Sequence, residues 1–150
     1  MIDSRISAGV RVGIVAAATT IGAVIGLGLR HGLALRPFVT AGRALLERLG
    51  LSATPVLTAI VGIAMVVCAI IVLGVCFTVV AASLRGLRLL GAAIAFGAVG
   101  WAVSAFVVPS ILALSSGTVL GDAQRVFIFA LLALSLVVGM RLARSTTRIE

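Results

Sequence analysis

The chain has 150 residues, 62% of them hydrophobic and only 11% charged, with a net charge of +8 and a mean hydropathy of +1.34. Soluble domains carry about 45–50% apolar and about 25% charged residues, so a water-soluble fold has no means of hiding this much apolar surface. All twelve basic residues are arginine, and since no soluble basic domain accompanies them, nucleic acid is excluded as their partner.

The arginines instead stand at the ends of apolar runs, where they can snorkel toward headgroups. Their expected partner is the lipid bilayer, anionic lipids included. The arginine-only usage, with its wealth of Ala, Gly, Val and Leu, points to a GC-rich bacterial genome and to the bacterial cytoplasmic (inner) membrane.

The first apolar run, Val12 to Leu29, lies between Arg11 and Arg30. As a helix it covers about 27 Å, enough for a slightly thin hydrocarbon core. Arg5 and Arg11 precede it as the basic part of a signal peptide would. The run is longer than a usual signal core, however, and no small-x-small cleavage site follows it before Arg30, so it reads as a retained span. Within the polar-flanked stretch that follows, Thr40 to Leu51 predicts a short amphipathic helix lying in the membrane interface. Ala41, Ala44, Leu45 and Leu49 recur at helical spacing, and Arg43, Glu47 and Arg48 share the other face. Arg43 and Glu47 stand at i and i+4, a weakly favourable pair.

The second run, Pro55 to Ser83, is uncharged throughout. Thr54 suits its N-cap and Pro55 its first turn. At about 43 Å this helix must tilt or project beyond the hydrocarbon. A short turn around Gly86, flanked by Arg85 and Arg88, leads to the third run, Leu89 to Val108, closed by Pro109. The two runs are expected to form a tight antiparallel hairpin. Ser110 to Gly121 is too short for a span and suits an interfacial or re-entrant piece. Asp122 is placed to cap a last helix, whose core, Val126 to Met140, is extended to a full crossing by snorkelling of Arg125 and Arg141.

These elements predict an all-α fold, a single membrane domain over residues 1–150. It is a bundle of four transmembrane helices (about 12–29, 55–83, 89–108 and 124–141) with an interfacial amphipathic helix between the first two. Seven arginines then fall on the side of both termini and the middle turn, and five on the other. That excess favours cytoplasmic termini. Arg85, Arg88, Arg141, Arg144 and Arg148 are the expected contacts to lipid headgroups. The stretch Gly74 to Gly91, GVCFTVVAASLRGLRLLG, has a Gly-x-x-Phe-Thr followed by Leu-Arg-x-Leu-Arg and a Gly opening the next span. It resembles the junction of the second and third helices in an uncharacterised family of small four-helix bacterial membrane proteins. The resemblance implies topology and no activity.

In lipid, helices associate closely through small residues that let backbones approach. The third span carries such a stripe in Ala93, Gly97, Gly100 and Ser104. The first carries two on nearly opposite faces, Gly9, Gly13, Ala17 and Thr20 on one and Ala18, Gly22 and Gly26 on the other. The fourth is dominated by Leu and Phe. From these patterns the first and third spans are expected at the centre, with the fourth facing lipid.

Chemistry is sparse. None of the four apolar cores holds an ionisable residue, the usual mark of an intramembrane site. Cys68 and Cys76 are eight residues apart on one helix, about 12 Å, too far for a disulfide. His31 is the only histidine, so metal, haem-ligand and Ser-His-Asp arrangements all lack members. With no Lys there is no phosphate loop. The expectation is a non-enzymatic protein without cofactor or metal. It would act by helix–helix association as an accessory or assembly subunit, with a membrane-protein partner or further copies of itself. The alternative is a small oligomeric transporter or channel lined by Thr and Ser hydroxyls. A membrane enzyme holding an anionic substrate on the Arg-rich loop ranks third, because acids and histidines to work beside it are lacking.

Overall fold

A computed structural model of the protein describes residues 2–30, 35–103 and 122–146, and every described element is helical. These are α1 (Ile2–Arg30), α2 (Arg36–Arg48), α3 (Pro55–Val80), α4 (Gly86–Ala102) and α5 (Asp122–Thr146). Three are long and apolar enough to cross a membrane, α1 over Ile6–Arg30, α3 over Pro55–Val80 and α5 over Ala123–Ser145. The remaining expected span, 89–108, falls on α4, an apolar helix of 17 described residues and shorter than these three. His31, Ser104, the segment 110–121 and Arg148 lie outside the described residues.

Local chemistry sets several boundaries. Thr54 has extended backbone (φ −66°, ψ 154°), and its side chain accepts the Leu57 N–H at 3.4 Å, with Pro55 opening the helix. Pro there forfeits no helical hydrogen bond. Helix α2 ends in a Schellman motif: the Gly50 N–H donates to the Glu47 carbonyl at 3.1 Å and the Leu51 N–H to the Leu46 carbonyl at 2.9 Å. Gly50 supplies the left-handed residue this requires, at φ 68°. Helix α1 starts ten residues before its apolar run, because a helix does not stop where the hydrocarbon does.

Helix α1 is the hub. Gly9 and Gly13 lie against Val75 and Ile71 of α3, and Gly139 of α5 lies against Val12. The start of α1 thus meets the ends of both α3 and α5, which makes α1 antiparallel to each. Helix α4 packs along α5, with Gly97 facing Phe129 and Ala133. The fourth side of the bundle, between α3 and α4, closes near their hairpin. There Phe77 and Phe96 pack edge to face with ring centroids 5.4 Å apart, a favourable geometry for aromatic pairs. The main core gathers at this hairpin end from all four long helices: Val12, Ala16, Phe77, Ala81, Leu89, Ala93, Leu132 and Leu136. A second cluster at the opposite end joins Val24, Phe38 and Ile128.

Two packing expectations are corrected. The centre is held by α1 and α5, not by α1 and α4. Helix α5 buries Ile128, Leu132, Ala133, Leu136, Val137 and Met140, and leaves Phe127, Leu134 and Leu142 exposed. Its many leucines disguised a two-faced helix, since composition carries no phase. The small stripe of α4 is matched by α5, and that of α1 by α3, so no seam between α1 and α4 forms. The expected amphipathic helix 40–51 is also shifted. The helix runs over Arg36–Arg48, and its Phe38, Gly42 and Leu46 are buried, while Leu45 is half-buried and Leu49 exposed.

Candidate functional site

The small residues fall into sealed seams and open faces. Gly13 and Ala17 are buried. A Cβ on Gly74 would stand 2.6 Å from the Gly13 Cα, and one on Gly13 would stand 2.6 Å from the Ile71 Cα. The α1–α3 contact is therefore backbone on backbone, which only glycine permits. In the α4–α5 seam Ala93 is fully buried. A Cβ on Gly97 would meet the Phe129 carbonyl at 3.1 Å, and one on Gly100 would meet the Phe129 ring at 3.2 Å. These positions are bundle interior.

Gly22 and Gly26 differ. Among the described residues nothing lies within 4 Å of a Cβ built at either. With Ile14 and Ala18 they form a continuous exposed stripe along α1, a half-turn away from the buried Gly13. The two small faces read in the sequence thus separate, one closed by α3 and one met by no described residue.

A third seam escaped the sequence reading. A Cβ on Gly42 of α2 would overlap the Thr58 carbonyl, and one on Gly62 of α3 would overlap the Phe38 carbonyl. The available signal was Phe38, Gly42 and Leu46 at i, i+4 and i+8, set against Gly62 four residues after Thr58. Helix α2 is thereby locked against the first turns of α3.

The arginines also divide. Arg85, Arg88 and Arg141 are exposed at the hairpin end, where a headgroup can reach them. Arg144 is half-buried, and one terminal nitrogen (Nη2) donates to the carbonyls of Ala81, Ala82 and Leu84 at 3.1, 3.1 and 2.9 Å. These carbonyls lie at and just beyond the end of α3, where the last carbonyls of a helix lack intrahelical donors, and their partial negative charge favours a cation; the Ala81 carbonyl also accepts the Leu84 N–H at 3.0 Å. Arg144, expected at lipid headgroups, thus ties α5 to the α3–α4 turn.

The hydroxyls inside the spans mostly bond back to their own helices. Thr19 donates to Val15, Thr58 to Thr54, Thr78 to Gly74 and Ser135 to Leu132, each at 2.8 Å. Such bonds satisfy the hydroxyl without a ligand. The buried Thr20 hydroxyl is the exception among these, with no hydrogen-bond partner. Cys68 and Cys76 are free and exposed on α3. Among the described residues no group of three His, Cys, Asp or Glu side chains is placed to hold a metal.

A cleft of about 400 Å³ lies where α2 ends and α3 begins. Arg43, Glu47, Ser52, Leu46, Leu51 and Thr58 line it. The expected Arg43–Glu47 pair does not form; neither side chain makes an ion pair or hydrogen bond with a described residue. Arg preceding Glu is the less favourable order for an i, i+4 pair on a helix.

No protein-family model matches the chain, and no match was found among curated proteins or solved structures.

Proposed function

We propose that the chain is a non-enzymatic, four-span protein of the bacterial cytoplasmic membrane that serves as an accessory or assembly subunit, receiving a transmembrane helix of a partner protein on the open face of α1. One contrast carries this reading. Gly9 and Gly13 are filled by α3, while Gly22 and Gly26 are met by no described residue within 4 Å. A glycine face toward lipid gains nothing in a helix, where Gly costs about 1 kcal/mol relative to Ala. A glycine face toward another helix permits close backbone approach.

The four-span count rests on α4, whose 17 residues rise about 26 Å alongside α5. Successive long helices then alternate in direction, and both chain ends fall at the hairpin end. The arginine excess at that end assigns it to the cytoplasm.

The deciding experiment compares Gly22→Leu/Gly26→Leu with Gly97→Leu/Gly100→Leu, each expressed at natural level and followed by native electrophoresis of gently solubilised membranes. The first pair should insert and fold yet lose the larger assembly. The second should damage the fold itself. A Gly22/Gly26 variant that migrates like the parent sinks the partner-face reading. Assemblies built solely of identical copies would replace the foreign helix with a second copy of α1.

A further inference from the structure

We infer that the cleft between the end of α2 and the start of α3 binds the headgroup of a phospholipid carrying both a phosphate and a primary ammonium, the phosphoethanolamine class. Arg43 and Glu47 are exposed, one turn apart on the same face of α2, and paired with no described residue. Side chains at this spacing have Cβ atoms about 5–6 Å apart, so one headgroup can span both. The planar guanidinium fork matches phosphate oxygens. The Glu47 carboxylate accepts from the N–H groups of an ammonium, which a quaternary choline lacks. The first turn of α3 adds a positive helix end beside the phosphate, and Ser52 adds a hydroxyl.

The surroundings fit a lipid rather than a soluble ligand. The cleft opens at the boundary where the uncharged run of α3 begins. Val56, Leu57 and Ile60, at the start of that run, are 70%, 49% and 57% exposed, so the helix that begins at the cleft turns an apolar outer face to its surroundings. Leu46 and Leu51 add apolar wall to the cleft itself. Glu47 disfavours a purely anionic headgroup, which distinguishes this place from the exposed Arg85, Arg88 and Arg141 at the other end. The inference rests on the chain being embedded in a membrane and is independent of any partner on α1.

The test uses the full chain in nanodiscs containing equal amounts of phosphatidylethanolamine, phosphatidylglycerol and phosphatidylcholine with identical chains, with retained lipids counted by native mass spectrometry. The parent should retain phosphatidylethanolamine about three- to fivefold over phosphatidylcholine, the scale of an exposed charge interaction. Glu47→Gln should erase that preference while total lipid retention stays. Arg43→Gln should lower retention of all three at this site, and Arg85→Gln should leave the preference untouched. Equal retention by the parent, a preference that survives Glu47→Gln, or one lost in Arg85→Gln overturns the site. Both cleft side chains are exposed, so elution of the variants at the parent's volume checks that the fold is intact.

Discussion

Gly13 of α1 and Gly74 of α3 meet backbone to backbone, so closely that a Cβ on Gly74 would lie 2.6 Å from the Gly13 Cα and 2.7 Å from its nitrogen. Dispersion and close packing are what hold helices together where the solvent is itself apolar, and this crossing is the tightest point of the α1–α3 seam that can be tied to two facing glycines.

Gly74→Leu should therefore weaken the protein by about 1–3 kcal/mol or more, the usual scale of overpacking. Both opposing groups are backbone and have no rotamer to change. Gly91→Ala is the matched control. Gly91 is exposed with nothing near its Cβ position, and Ala there should leave stability unchanged or raise it by up to about 1 kcal/mol. Unfolding in mixed micelles of increasing denaturing detergent reads both. Equal midpoints for Gly74→Leu and the parent would contradict the seam.

Arg144→Ala should cost on the order of 1.5–3 kcal/mol, the range for hydrogen bonds to a charged group, because the carbonyls of Ala81, Ala82 and Leu84 lose the guanidinium donor. Lysine keeps the charge without the planar fork, so Arg144→Lys should recover only part of the loss. The same micelle titration distinguishes them. If Arg144→Ala behaves like Arg141→Ala, whose side chain is exposed, the tie contributes nothing.

Reporter fusions placed after Glu150 and within 36–48 should report opposite sides of the membrane, with the tail in the cytoplasm. Activity of both reporters on one side would remove α4 or another helix from the set of spans. A tail reported outside would reverse the orientation inferred from the arginine excess.

Spin labels along α2 should divide by face rather than by end. Labels at Arg43 and Glu47 should be mobile and water-accessible, and a label at Leu49 mobile too, since all three are exposed. A label at Gly42 should be immobilised or should detach α2, because the Thr58 carbonyl occupies the place of its Cβ. High mobility at Gly42 with the helix still in place would refute the α2–α3 seam.

The membrane class, the helical content and most helix starts and stops were legible from residues alone, since each depends on near neighbours. Thr54 and Pro55 cap and open α3 through atoms within three residues of each other. The uncharged length of 55–83 follows from solvation cost along one segment. The two small faces of α1 were legible for the same reason, as periodicity is a property of one helix. What filled each face was not. Gly13 finds Gly74 across some sixty residues of chain, and nothing in either helix states that α3 rather than α4 comes to that side. Likewise Leu132 and Leu136 are buried while Leu134 is exposed, a division set by where α1 and α4 stand and invisible in a run of leucines. Arg144 shows the difference most sharply. Its charge at the end of an apolar run suggested a headgroup contact, but a guanidinium there serves headgroups or helix ends equally well. Only the tertiary structure, by bringing the end of α5 beside the carbonyls of Ala81, Ala82 and Leu84, shows the helix-end contact.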